Sequence, residues 1–129
     1  MQNVLRGLHY QIEHPQGKLI RVLSGCIFDV AVDLRRASPA FGQSAIIELK
    51  TEDNLLLWIP PGYAHGFFVL DGPSEVAYSV TDYRYAEHER TLSWCDADLA
   101  IPWPMGQQSP TLSDKDRLGT PFARCECYP

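Results

Sequence analysis

The sequence predicts an all-β fold, built as a small barrel or sandwich. Two observations indicate this class. Short runs of alternating or wholly apolar residues recur along the chain, and clusters of glycine, proline, asparagine and aspartate separate them at close intervals. Strands and turns at such spacing are typical of sandwiches and barrels rather than of βαβ proteins.

The individual strands follow from this pattern. We predict strands over residues 18–23, 26–33, 44–49, 55–59, 66–70 and 75–81, separated by turn signals at 24–25 (SG), 39 (P), 53–54 (DN), 60–62 (PPG) and 71–73 (DGP). A period of two within 26–33 (CIFDVAVD) puts Val30 and Val32 on one face of a strand, and Asp29 and Ala31 on the other. The run 55–59 (LLLWI) is apolar on both faces, which predicts a strand covered on both sides.

The strand pattern loosens after Trp94. Residues 113–116 (SDKD) have the character of a capping box, which predicts a short helix. The chain has 129 residues, and it shows neither internal repeats nor a linker. We therefore predict a single domain over residues 1–129, with a short C-terminal helical tail.

Composition excludes several classes of function. The net charge of −5 argues against general binding of nucleic acid, which needs a basic face. No segment is apolar enough for a membrane span, and no signal peptide is evident, so we expect no membrane partner. The four cysteines are scattered without a CxxC pair, which indicates free thiols in a cytoplasmic protein. A small anionic ligand remains possible because Arg6, Lys18 and Arg21 lie close together in sequence.

Polar residues in predicted strands mark a candidate site. His9 in 6–11 (RGLHYQ) and His65 in 58–66 (WIPPGYAHG) lie in segments that otherwise look buried, and a buried imidazole needs hydrogen-bonding partners. Lys18 shares a strand face with apolar residues, which favours a side chain that reaches into a cavity. Tyr78 alternates with valines and should point inward. These residues also have purely structural explanations. His65 could hydrogen-bond a turn, Lys18 could be a lysine on an edge strand, and Tyr78 could be a core residue with its hydroxyl bonded.

Arg6 and His9 present a geometric problem. In a regular strand they point to opposite faces, because three residues separate them. Both can line one pocket only if the strand bends, and Gly7 is the position where it can do so. We therefore predict a kink or bulge there.

The chain also resembles a known family. Residues 60–65 (PPGYAH) match the second half of the cupin signature, although the His-x-His and Glu of the first half are missing, so a three-histidine metal site looks incomplete. More specifically, the chain resembles the sugar-nucleotide 3,5-epimerases that convert dTDP-4-keto-6-deoxyglucose to the L-rhamnose precursor. The matching stretches are 4–11 (VLRGLHYQ), 17–22 (GKLIRV), 28–35 (FDVAVDLR), 38–42 (SPAFG), 57–67 (LWIPPGYAHGF), 81–83 (TDY), 87–90 (EHER), 94 (W), 101–104 (IPWP) and 112–117 (LSDKDR).

This resemblance implies a fold and a mechanism. It implies a cupin-type double-stranded β-helix, or jelly-roll barrel, that works on a dTDP-linked 4-keto-6-deoxysugar without metal or organic cofactor. His9 would be the general base, supported by Asp116, with Tyr78 as the opposing acid and Lys18 near the enolate. The resemblance also implies that Arg6 and Lys18 bind the substrate and that His65 and Asp29 lie in the site. We add two residues to the predicted substrate-binding set: Arg21, as a second neighbour of the diphosphate, and Glu89.

The chain departs from the family pattern in two ways. Family members usually begin with further strands that pack across a dimer interface, whereas Met1 here lies almost on the first motif, so we expect a homodimer with fewer nucleotide contacts. The aromatic ring that commonly stacks on the base is displaced, and either Tyr85 or Arg84 could replace it. Three alternatives remain open: a related enzyme that acts at one carbon or isomerises the ketone, a metal-dependent cupin using His9 and His65, and a non-catalytic sugar-nucleotide binder.

Overall fold

A computed structural model of the protein describes residues 3–129 and consists mainly of β-strands. The elements are β1 (Leu5–Gln11), β2 (Lys18–Asp33), β3 (Ser44–Lys50), β4 (Leu57–Ile59), β5 (Tyr63–Val80), β6 (Glu89–Thr91) and the helix α1 (Asp114–Arg117). Short 3₁₀ turns cover Thr51–Asp53, Ala86–His88 and Phe122–Arg124. The predicted all-β class and the short helix near the C-terminus are confirmed, although the side chain of Ser113 makes no capping hydrogen bond to that helix.

Two long strands form the centre of the sheet. The strand order is β3-β2-β5-β1-β6, with β4 also paired to β2. β2 and β5 pair antiparallel from Lys18 opposite Val80 to Asp33 opposite Tyr63. The strand breaks predicted at residues 24–25 and 71–73 are wrong, because β2 and β5 continue through them with shifts of register. Gly25 has a φ of +87°, so the backbone bulges there while the ladder resumes beyond it.

The two faces of β2 contribute to two apolar clusters. Val30 and Val32 pack with Leu8 and Leu92 in one cluster. Ala31 lies in the other cluster, together with residues from β3, β4 and β5. The predicted period of two is therefore confirmed in this strand.

The apolar run at residues 55–59 is more exposed than we predicted. Leu55, Leu56 and Trp58 are 50%, 61% and 50% exposed, and only the last three residues of the run form β4. Ile46 and Ile47 on β3 are also exposed. The prediction of a strand covered on both sides is wrong within the described chain, because Ile59 is buried on one face of β4 while Trp58 on the other face stays half exposed.

Strand β1 bulges at Gly7, as we predicted. Arg6 lies opposite Phe67 on β5 and His9 lies opposite His65, so β1 advances three residues while β5 advances two. Gly7 has a φ of +125°, a conformation that side-chain-bearing residues rarely adopt. The bulge turns Arg6 and His9 toward the same cavity.

We expect Gly7→Ala to destabilise the fold by at least about 2 kcal/mol. A Cβ at Gly7 would lie 2.6 Å from the Cα of Gly66 and 2.8 Å from the carbonyl oxygen of His65, both of them backbone atoms that cannot easily move. Gly106→Ala is the matched control, because Gly106 also has positive φ but its Cβ would meet open space. Urea unfolding checks both, and an equal loss of about 1 kcal/mol in each would mean that the close approach at Gly7 carries no cost of its own.

Within residues 3–129, no helix has both the length and the apolar character needed to cross a lipid bilayer.

Candidate active site

A cavity of about 600 Å³ opens beside the bulge in β1. Its volume lies in the range of small-molecule sites. Strands β1, β2 and β5 form its walls, together with the segment before β6 and the start of the C-terminal helix. The predicted site residues that line it are Arg6, His9, Lys18, His65, Tyr78 and Glu89.

His9 is hydrogen-bonded to a buried carboxylate. Its Nε2 lies 2.5 Å from Oδ1 of Asp116, which is completely buried at the start of α1, while the His9 side chain remains 29% exposed. Burial would raise the pKa of Asp116, but the hydrogen bond and charge of His9 outweigh it, so that pKa lies below its ordinary value of 3.8. Asp116 is therefore ionised at neutral pH and accepts a hydrogen bond from His9.

A second histidine–carboxylate pair is more deeply buried than the His9–Asp116 pair. Nε2 of His65 is 2.8 Å from Oδ2 of Asp29, and both side chains are buried. His65 lies opposite Ala31 on β2, so Asp29, two residues away, falls on the same face of the sheet. Burial lowers the pKa of His65 below its ordinary value of 6.5, more than the neighbouring Asp29 charge raises it. His65 is therefore neutral at pH 7.

Lys18 and Tyr78 occupy the same cavity. Burial lowers the pKa of Lys18 from its ordinary value of 10.5, and the charges of Asp29 and Glu89 oppose that shift. Tyr78 faces the cavity but is 49% exposed; desolvation on its cavity side and the charge of Asp29 raise the pKa of Tyr78 to about 12, so its hydroxyl keeps its proton at neutral pH. The Tyr78 ring meets His65 edge-on, with ring centroids 6.2 Å apart.

The remaining predicted residues differ in their placement. Nη1 of Arg6 donates to the carbonyl oxygens of Leu5 and Thr111, which fixes the guanidinium at the cavity wall. Asp29 lies beneath the cavity and acts on it through His65. Arg21, in contrast, is exposed and does not line this cavity. It lies three residues after Lys18 in β2, so its side chain points to the face of the strand opposite the cavity. The structure does not bring Arg21 to the site.

The structure adds residues to those we predicted for the site, and it also brings to the cavity wall Arg84, one of the two residues named above as candidates for stacking on the base. Lys115 and Gln11 line the cavity, although we assigned neither of them a role. Arg84 also lines it, whereas Tyr85 stacks on His14 with ring centroids 4.0 Å apart. Lys115 lies next to Asp116 in a matched stretch, which was the sequence signal that could have identified it. Gln11 likewise lies in a matched stretch, two residues from His9.

The described residues give little support to the alternative of a metal-dependent cupin that uses His9 and His65. No group of three His, Cys, Asp or Glu side chains between residues 3 and 129 is arranged to hold a metal ion. His9 and His65 each have one ring nitrogen engaged by its own carboxylate.

Comparison with known proteins identifies the family. The family described as dTDP-4-dehydrorhamnose 3,5-epimerase matches residues 1–124. A dTDP-4-dehydrorhamnose 3,5-epimerase of Pseudomonas aeruginosa is 52% identical over 128 residues, which cover 99% of this chain and 70% of that protein. One of Neisseria gonorrhoeae is 50% identical over 125 residues, covering 97% of this chain and 38% of that protein.

Solved structures agree with this match. The crystal structure of a dTDP-6-deoxy-D-glucose-3,5-epimerase from Legionella pneumophila, in complex with dTDP-4-keto-L-rhamnose, superimposes with a TM-score of 0.92 at 46% identity. The match covers 97% of this chain and 66% of that one. The fold is thus of the predicted cupin type. The chain belongs to the dTDP-4-dehydrorhamnose 3,5-epimerase family, a family of isomerases, and it spans between 38% and 70% of the length of these relatives.

Proposed function

We propose that the protein epimerises a dTDP-linked 4-keto-6-deoxyhexose at C3 and C5, converting dTDP-4-dehydro-6-deoxyglucose to dTDP-4-dehydrorhamnose. One observation carries this proposal: the partly open imidazole of His9 is bonded to the buried carboxylate of Asp116 in a cavity that also holds Lys18 and Tyr78. Family membership supports the same reaction, and so does the dTDP-4-keto-L-rhamnose bound in the Legionella relative.

Proton removal falls to His9. A hydrogen on a carbon next to a ketone is weakly acidic because its loss leaves an enolate. The ionised Asp116 accepts the Nε2 hydrogen of His9, so Nδ1 is left with a free lone pair to take that proton. The same carboxylate stabilises the imidazolium that results.

The enolate oxygen needs a cation or a hydrogen-bond donor. Lys18 supplies a partly buried ammonium group whose charge is supported by Asp29 and Glu89. Neutral His65 donates a hydrogen bond to Asp29. This second pair therefore sets the charge near Lys18 and does not remove a proton from the substrate. The reaction then needs no metal or organic cofactor.

The proton that completes the inversion comes from Tyr78. Its hydroxyl remains protonated well above neutral pH, so it can donate to the carbanion form of the enolate. Tyr78 lies on β5 while His9 lies on β1, with His65 next to both. We expect these two groups, which lie on different strands of the cavity, to act on opposite faces of one sugar ring.

The deciding experiment follows deuterium into the substrate. The protein is incubated with dTDP-4-keto-6-deoxyglucose in heavy water, and the C3 and C5 positions are observed by NMR. We expect exchange at both carbons. Exchange at one carbon would select a single-site epimerase or ketone isomerase, and binding without exchange would select a non-catalytic binder.

We also propose a homodimer in the cytoplasm. The exposed apolar residues at 46–47 and 55–58 lie on and near β3, which forms one end of the described sheet, and such a surface favours association. The free cysteines agree with a reducing compartment. Sedimentation equilibrium tests the dimer, and a monomer at micromolar concentration would contradict it.

A further inference from the structure

The side-chain amide of Gln11 hydrogen-bonds two loops beside the cavity, one at His14 and one at residues 83–85. Gln11 is the last residue of β1 and is only 2% exposed. Its Nε2 donates to the carbonyl oxygens of His14 and Tyr83 at 2.7 and 3.0 Å, and its Oε1 accepts the backbone N–H of Tyr85 at 2.9 Å. Both amide hydrogens are therefore used within the protein, and little of this group is left for a ligand.

Two of these bonds lie on either side of Arg84. The carbonyl of Tyr83 and the N–H of Tyr85 belong to the peptide groups that precede and follow the Arg84 Cα. One rigid amide that holds both peptide groups fixes the direction in which the Arg84 side chain leaves the backbone. Gln16 adds to this restraint, because its Nε2 donates to the carbonyl oxygen of Asp82 at 2.9 Å.

The guanidinium of Arg84 is also paired within the protein, although its side chain is 67% exposed. Its Nε and Nη2 donate to the two carboxylate oxygens of Glu89 at 2.6 and 3.1 Å, a bidentate geometry that holds the group in one plane. Glu89 is itself the register partner of Gln11 across β1 and β6. Within residues 3–129, Nη1 of Arg84 makes no hydrogen bond, and the residue lines the cavity. An anionic ligand could thus reach Nη1 and the flat face of the guanidinium.

The charges around the cavity favour such a ligand. Among residues 3–129, four cations line it, Arg6, Lys18, Arg84 and Lys115, against the single carboxylate of Glu89. A nucleoside diphosphate brings negative charge that this excess of cations can stabilise. We propose that Gln11 is a positioning residue that holds Arg84 in the cavity wall as an anchor for the nucleoside diphosphate half of the substrate. This inference rests on the proposed function, and it concerns binding rather than chemistry.

The test compares Arg84→Ala, Gln11→Met and the double variant in calorimetric titrations with dTDP and in steady-state kinetics. We expect each single variant to weaken dTDP binding and to raise KM about tenfold, with kcat within about twofold of the native value, because the anchor contacts ground state and transition state alike. The double variant should be no worse than Arg84→Ala. This non-additivity is the signature of a residue that acts through Arg84.

Tyr128→Phe is the matched control for Gln11. The Tyr128 hydroxyl donates to the backbone carbonyl oxygen of Gln11 at 2.6 Å, so its loss disturbs the same residue without releasing Arg84. We expect native dTDP affinity in this variant. If Gln11→Met does not fold, Gln11→Glu keeps the side-chain length and the acceptor for Tyr85, and its dTDP affinity should fall between native and Arg84→Ala.

Three results would overturn the inference. If Arg84→Ala binds dTDP with native affinity, Arg84 does not anchor the nucleoside diphosphate. If Gln11→Met weakens dTDP binding further in the Arg84→Ala background, Gln11 does not act through Arg84 and its role is structural. In both cases the native chain still binds dTDP and exchanges substrate protons, so the proposed function stands. A native chain that binds no dTDP would contradict the proposed function itself, and this inference with it.

Discussion

Replacing His9 with alanine is expected to lower turnover by a factor of about 1,000 or more. The imidazole is the only ionisable group of the cavity wall that is both bonded to a buried carboxylate and partly open to a ligand, among the residues that the structure describes. Without it, deuterium uptake at C3 and C5 should also stop, because the protons are no longer removed. NMR in heavy water measures both quantities on one sample.

Asp116→Asn should reduce turnover less, by about a factor of 100. The amide can still accept the Nε2 hydrogen of His9, but it lacks the negative charge that stabilises the imidazolium. Because the pKa of Asp116 lies below 3.8 in the folded protein, its support for His9 is present across the neutral range and is lost only as pH falls through that lowered pKa. Above pH ~5, the turnover of the native enzyme should therefore not fall through protonation of Asp116.

His88→Ala is the control for the His9 variant. His88 lies in a 3₁₀ turn outside the cavity lining, so kcat should stay near the native value. Circular dichroism should show both variants to be folded. Continued deuterium exchange in folded His9→Ala would mean that the base is another residue.

Strand periodicity predicted much of the fold, because burial on alternating faces is local information. In β2 it correctly separated Val30 and Val32 from Ala31, which lie in different apolar clusters. It failed at Gly25, where a turn signal is in fact a bulge. A glycine shows that the backbone can turn, but only the partner strand decides whether the ladder continues. The exposure of Trp58 on β4 was unpredictable for the same reason, since it depends on which elements pack against β4.

The site was predictable where a polar residue interrupts an apolar strand. His9, His65, Lys18 and Tyr78 stand out in this way, and all four line the cavity. Their carboxylate partners cannot be paired from periodicity, because Asp116 lies 107 residues from His9 in sequence. That pairing came from the family resemblance.

Two further residues show the opposite limits of sequence reasoning. Arg21 was predicted for the site because it lies near Lys18 in sequence, but three residues along a strand reverse the face. Gln11 lies in a matched stretch, but its sequence position does not reveal its partners, because the loop that carries Tyr83 and Tyr85 is 72 or more residues away.

Tyr78→Phe is expected to separate proton removal from inversion. The variant loses the hydroxyl whose raised pKa keeps it protonated, so formation of the epimer should fall by a factor of about 100 or more. His9 remains intact and can still remove protons, which solvent then returns from the same side. Deuterium uptake should therefore continue at one carbon or both while the product ratio hardly changes. Comparing the rate of exchange with the rate of epimer formation tests this directly.

Tyr83→Phe provides the matched control, since Tyr83 is highly exposed and does not line the cavity. It should leave both rates near native. If Tyr78→Phe also left both rates unchanged, Tyr78 would be a wall residue rather than the acid. If it reduced exchange and epimerisation equally, the hydroxyl would act before or during proton removal, as a donor to the enolate oxygen. Only a selective loss of inversion assigns the final proton to Tyr78, because that loss requires His9 to keep working on its own face of the sugar.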